Sequence, residues 1–258
     1  MKKLWLAIFV FGATGCSKGK VTLSDDGVDA FKVKSAVWLH VLAKDSADNY
    51  DSILVTNTPK TCKTLQEAIP AVNKLLKEHQ EQYDTLDEYD YEGYCDLQAD
   101  LYTTVGEQLD PIVGEGKKTF GFDFVDDEDW GKPISDGTWT ANVDEDKHFY
   151  ASMSYHKKNM YTEMSKIYAD CDEDGYEYDP EIYDELADSW GVTEDAELTI
   201  SKTKDEKKFK ATLTGGLDDN SSDDDDDDAE MDVEMNFNAT YCEIDASSYE
   251  YLYFYYFG

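Results

Sequence analysis

Residues 231–241 read MDVEMNFNATY. Met231, Val233, Met235, Phe237, Ala239 and Tyr241 fall on one face of an extended chain, and Asp232, Glu234, Asn236, Asn238 and Thr240 fall on the other. A period of two sustained this long has no helical reading. It demands a long strand with one face in a core and one in water. The same alternation recurs at Phe120, Phe122 and Phe124, at Trp139, Ala141 and Val143, and at Phe149, Ala151, Met153 and Tyr155, the last two runs joined by a turn at 144–147. Ala196, Leu198 and Ile200 match Phe209, Ala211 and Leu213 across a lysine-rich turn. Phe31–Val41 alternates and then turns apolar on both faces, and Ser52–Thr56 is a short apolar strand closed by Asn57-Thr58-Pro59. Residues 249–256, YEYLYFYY, read as a last strand aromatic on both faces, or as an aromatic patch touching lipid or a partner. About eight strands on short turns predict an antiparallel sandwich or an open barrel.

Two helical stretches interrupt this pattern. Leu65, Ile69, Val72, Leu76, His79 and Tyr83 recur at helix spacing, with Pro70 expected to kink or restart the helix. Leu97, Leu101, Val105 and Leu109 mark a second helix over 95–109, and the acidic, tyrosine-rich residues 84–94 read as the loop between them. The expected fold class is α+β, mainly antiparallel β with two helical insertions.

Charge narrows the function. The formal net charge is −35 and no arginine occurs. Phosphate contacts need a basic surface, so nucleic acid is excluded as a partner. Divalent cations and basic proteins remain. Six consecutive aspartates at 223–228 cannot pack in a core, and 216–230 reads as a solvated acidic loop with loose cation binding as its alternative role.

The chain opens MKKLWLAIFVFGATGCSKGK. Two lysines, a short apolar run, small residues and then Cys16 follow the layout of a secretory signal. The stretch Ala13-Thr14-Gly15-Cys16 resembles the lipobox of bacterial lipoproteins. That resemblance implies cleavage after residue 15, a lipid on Cys16, and Ser17 compatible with passage to the outer membrane. The expected organisation is a signal peptide at 1–15, a lipidated cysteine with a flexible tether at 16–30, and one β-rich domain at 31–258. The membrane is then met through the lipid only.

Four cysteines remain, Cys62, Cys95, Cys171 and Cys242. An even number in an exported chain predicts two disulfides. Cys62–Cys95 with Cys171–Cys242 is the expected pairing, since each closes a loop within one half of the chain.

Residues 170–181, DCDEDGYEYDPE, carry the one spacing with metal chemistry. Asp170, Asp172, Asp174, Gly175 and Glu181 match D-x-D-x-D-G-x5-E, and the stretch resembles an EF-hand calcium loop. The resemblance implies side-chain oxygens from Asp170, Asp172 and Asp174, the carbonyl of Tyr176, both oxygens of Glu181, and a sharp turn at Gly175. Met160, Met164, Ile167 and Tyr168 predict an entering helix, and Ile182, Leu186 and Trp190 an exiting one ended by Gly191, a helix–loop–helix over 158–191. The alternative is a solvated acidic stretch.

His40, His79, His148 and His156 form no zinc pattern, and His156 beside Lys157 and Lys158 reads as a solvated strand end. No GxSxG, P-loop or GxGxxG occurs. The expectation is a non-enzymatic envelope lipoprotein with a binding or structural role. A calcium-dependent adhesion protein and a carboxylate hydrolase are the alternatives.

Overall fold

The computed structural model describes residues 19–23, 31–41, 50–87, 90–126, 134–171, 185–219 and 231–244. Along the chain the elements are β1 (Gly19–Leu23), β2 (Lys32–Val33), β3 (Ser35–Val41), β4 (Tyr50–Thr56), α1 (Thr61–Tyr83), α2 (Tyr91–Val113), β5 (Lys118–Asp126), β6 (Gly137–Thr140), β7 (Lys147–His156), α3 (Met160–Ala169), β8 (Ala187–Val192), β9 (Glu197–Lys202), β10 (Lys208–Asp219) and β11 (Met231–Tyr241).

The alternating strands close into a barrel in the order β11-β3-β4-β5-β7-β6-β9-β10, with β10 returning to β11. Of the two expected architectures the barrel is therefore the one found, closed rather than open. The seam is unusual in being parallel: β11 meets β3 at Thr240↔Val37 and Tyr241↔Trp38. Lower down, β1 fills the gap, pairing Lys20–Leu23 with β11 and Gly19–Lys20 with β2. On the far side β8 bridges β7 and β10.

The interior is filled by the apolar faces read from the sequence. Phe120, Phe122, Phe124, Phe149, Leu198, Ile200, Phe209, Leu213, Met235 and Phe237 are all buried in one cluster with Trp38, Trp139 and Trp190. Eight strands leave an interior that side chains can fill. Asp232 and Glu234 project outward and are exposed. Apolar inside and polar outside is the reverse of a lipid-facing barrel. At one end, buried Asp51 accepts hydrogen bonds from Trp38 Nε1 at 2.7 Å and from the Ile134 amide, fixing the approach to β6.

Val37, Leu39 and Leu54 point outward and form a second core with Leu65, Ile69, Val72 and Leu76 of α1, Val105, Leu109 and Ile112 of α2, and Tyr161 of α3. Two-faced burial of β3 and β4 is what their continuous apolar run required.

Several expectations are corrected. Gly19–Leu23, expected within the tether, is strand β1, with Val21 fully buried. Gly19 is needed there, because a Cβ would sit 2.0 Å from the Asn236 carbonyl oxygen. β6 does not form a hairpin with β7; it pairs antiparallel with β9 and touches β7 in parallel only at Thr140↔His148. The exiting helix of the 158–191 unit does not reach Trp190, which lies on β8 and faces the barrel core. The acidic segment gives up Gly216–Asp219 to β10. The described helices number three, α1 runs through Pro70 without a break, and α2 starts at Tyr91 inside the expected loop. The signal peptide, Cys16 and residues 245–258 lie outside the described residues.

Candidate functional site

α1, α2 and α3 form an antiparallel layer on the barrel's outer face. Two local devices set it. Asp90 caps α2 by accepting from the Gly93 amide at 2.9 Å, and Asn159 caps α3 by accepting from the Thr162 amide at 3.2 Å while donating to Asp110 at 2.7 Å. Gly106 of α2 lets α3 come close: a Cβ there would lie 2.8 Å from Tyr161 Cβ.

This layer brings the end of α1, the start of α2 and the end of α3 to one tip. The cysteines are paired differently from expectation. Cys95 at the start of α2 is bonded to Cys171 just past α3, with Cα atoms 6.2 Å apart. Cys62 in the first turn of α1 is bonded to Cys242 just past β11, with Cα atoms 5.5 Å apart. Proximity along the chain was the wrong guide, because the antiparallel helices carry Cys62 and Cys95 to different parts of the layer.

A chain of tyrosine rings crosses the tip. Tyr83 meets Tyr94 edge-on at 5.9 Å, Tyr94 meets Tyr168 edge-on at 6.3 Å, and Tyr168 stacks on Tyr102 at 5.4 Å with an angle of 11°. Tyr102 in turn lies 6.3 Å from Tyr161, which is buried. The chain therefore runs from the core to the surface, where Tyr83 is 47% exposed and Tyr91 nearby on α2 is 49% exposed. Tyr161 and Tyr168 are two turns apart on one stripe of α3, a spacing the sequence displays.

The surroundings are negative. Asp84 caps the end of α1, whose last turn has no basic residue, and Asp170 caps the end of α3. Both carboxylates stand where the helix dipole is already negative. Glu81, Asp87, Asp90, Glu92 and Asp96 are exposed around them. Carboxylates beside exposed aromatic rings suit a cation, through charge and through the negative ring face.

Of the predicted calcium ligands, Asp170 is placed as the last residue of α3's cap; Asp172, Asp174, Tyr176 and Glu181 lie outside the described residues. Among the described residues no cluster of three or more metal-binding side chains occurs. Two carboxylates stand out chemically. Burial pushes the Asp123 carboxyl above its usual value, opposed by a hydrogen bond from the Ser52 hydroxyl. Asp123 is on the outer face of β5 and Asp51 points inward from β4, so the sheet separates them and they do not form an acid–base pair. His156, expected in solvent, is only 9% exposed, and burial lowers its pKa to about 4.

No protein-family model, curated protein or solved structure matches this chain.

Proposed function

We propose that the chain is a non-enzymatic binding lipoprotein of the bacterial outer membrane, held by a lipid on Cys16, and that its acidic tyrosine tip takes a basic protein segment. The observation carrying this reading is the ring chain that ends in exposed Tyr83 among the carboxylates of three helix ends. Tyrosine offers a large contact area at small entropic cost, and its ring face attracts a lysine ammonium. The test is a calorimetric titration of the chain from Ser17 onward with a synthetic peptide of alternating lysine and glycine. Tyr83→Ala with Tyr91→Ala leaves every carboxylate in place and should weaken binding about fivefold, the worth of roughly 1 kcal/mol of ring contact. Equal affinity in the variant would reduce the attraction to bulk charge and sink the tip as a site. Incorporation of radiolabelled fatty acid, lost in Cys16→Ala, tests the anchor.

A second reading is calcium binding by 170–181. It is favoured by α3 ending with Asp170 as its cap, which delivers the helix to the first ligand position. Titration with calcium should then give one site with a Kd of about 10⁻⁴–10⁻³ M, abolished by Asp172→Ala with Glu181→Ala. Binding indifferent to those changes would assign the heat to scattered carboxylates.

A further inference from the structure

Lysine is scarce in this chain and unevenly placed. There are 23 lysines against 58 carboxylates, yet residues 201–210 carry five lysines and two carboxylates. These residues form the end of β9, the turn and the start of β10. Lys208 and Lys210 point outward, since Phe209 and Ala211 face the barrel core. Lys208 stands opposite Thr240 of β11, and Lys210 opposite Asn238. Asn236 of β11 stands opposite Lys20 of β1, which stands opposite Lys32 of β2. Paired residues share a face of the sheet. Lys20, Lys32, Lys208 and Lys210 therefore flank the uncharged Asn236, Asn238 and Thr240, and Lys34 joins them from the link between β2 and β3. All five lysines are exposed. Strand spacing puts the Cα atoms of Lys20 and Lys210 about 12 Å apart. Of the five, only Lys208 is ion-paired among the described residues, with Asp205. The outward carboxylates of β11, Asp232 and Glu234, lie beyond Asn236 at the start of the strand.

The helical layer covers the outward side of β3 and β4 and leaves this lysine face in solvent. A bare sheet face that presents lysines, in a chain of net charge −35, suits an anionic surface. Position says which one. β1 lies within the face, and Cys16 stands three positions before its first residue, Gly19. The acidic tip lies far off. α1 starts beside the end of β11, to which Cys62 is bonded through Cys242, and it ends at Tyr83, about 33 Å from its first residue.

We propose that Lys20, Lys32, Lys34, Lys208 and Lys210 rest on anionic phospholipid headgroups of the membrane that holds Cys16, and so set the acidic tip away from the bilayer. This rests on the lipid-anchor reading, and it adds a protein surface to a contact that the lipobox resemblance assigns to the lipid alone. The net charge does not forbid it. At physiological salt, charges act over about 8 Å, so the headgroups meet the local patch and not the distant carboxylates. Lysines held beside a bilayer are attracted to anionic lipid over that same distance. The same headgroups repel the tip, so patch and tip favour one orientation.

The test couples the chain from Cys16 onward, both disulfides intact, through its remaining thiol to a maleimide-bearing lipid in vesicles. Anchoring is then supplied chemically, so the fatty-acid incorporation experiment can fail without touching this one. Lysine acetylation by a membrane-impermeant succinimidyl ester is followed by mass spectrometry. On vesicles containing phosphatidylglycerol the five lysines should react about threefold or more slowly than on pure phosphatidylcholine. Exposed Lys74 and Lys77 of α1 should keep one rate on both. Sodium chloride at about 0.5 M should remove the difference, because the Debye length falls to about 4 Å. Equal rates on the two vesicles would overturn the proposal, and slowing on both relative to the untethered chain would assign the patch to a second copy instead. Slowing shared by Lys74 and Lys77 would overturn it as well. Lys20→Gln with Lys208→Gln and Lys210→Gln should erase the lipid dependence left at Lys32 and Lys34. An undiminished dependence there would place the contact elsewhere and sink the patch.

Discussion

His156 shows how burial turns one side chain into a pH dependence. It projects from the end of β7 beside Thr119, with its Nε2 3.5 Å from the threonine hydroxyl and its Nδ1 unpartnered among the described residues. Its pKa falls to about 4 in the fold against 6.5 unfolded. The folded state thus favours the neutral ring, and between these two values the unfolded chain binds the extra proton. Stability from this residue is complete above pH 6.5 and is lost as pH falls toward 4. By linkage the loss between pH 7 and pH 5 is about 2 kcal/mol. Urea unfolding of wild type and His156→Leu at both pH values should show that difference in pH response, with the variant the less sensitive. Equal responses would place the imidazole in water. Residue-level features of this kind were the least legible in the sequence. His156 is flanked by two lysines and looks solvated, and only the turn of the chain at Lys157, whose amide bonds the Leu186 carbonyl, tucks it in.

At the scale of elements, strands and helices whose apolar period ran long were readable: β5, β7, β9, β10, β11, α1 and α2 all stand where their spacing put them. Pairing was less readable. Trp139 and Phe149 alternate on either side of a short turn, yet β6 pairs with β9 over Gly137–Thr140 and meets β7 at a single residue pair. The tip was hidden for a related reason. Its tyrosines lie on three helices, and no single stretch displays them together. The disulfides are the clearest case, since connectivity depends on which helix ends coincide in space. Cys62–Cys242 joins residues 180 apart and ties the helical layer to the end of β11. Replacing both by alanine should cost about 2–5 kcal/mol, read as a lower urea midpoint at unchanged slope. A loss of less than about 0.5 kcal/mol would show that apolar packing alone holds α1 on the barrel.

For the whole molecule, charge and closure dominate. A net charge of −35 repels itself. The ion pairs along α1 do little against this, because Lys63–Glu67, Lys74–Glu78 and Lys77–Glu81 are exposed. Added sodium chloride should therefore raise the thermal midpoint by several degrees between about 0.02 and 0.5 M, where the Debye length shrinks from about 20 Å to about 4 Å. A flat response in scanning calorimetry would mean that the charges are too dispersed to matter. Barrel formation was legible as an alternative to a sandwich, but closure was not. It depends on β11 meeting β3 in parallel, across some two hundred residues, and only two residue pairs make that seam. Local period says which face of a strand is buried and nothing about which distant edge it will find.

β1 has one more consequence. It begins at Gly19, three positions after Cys16, where an extended chain spans at most about 11 Å. An acyl group on Cys16 would hold the barrel on a leash no longer than that. The body would ride against the bilayer with little freedom to lean or reach, and any protein captured at its tip would be one already within a molecule's height of the membrane.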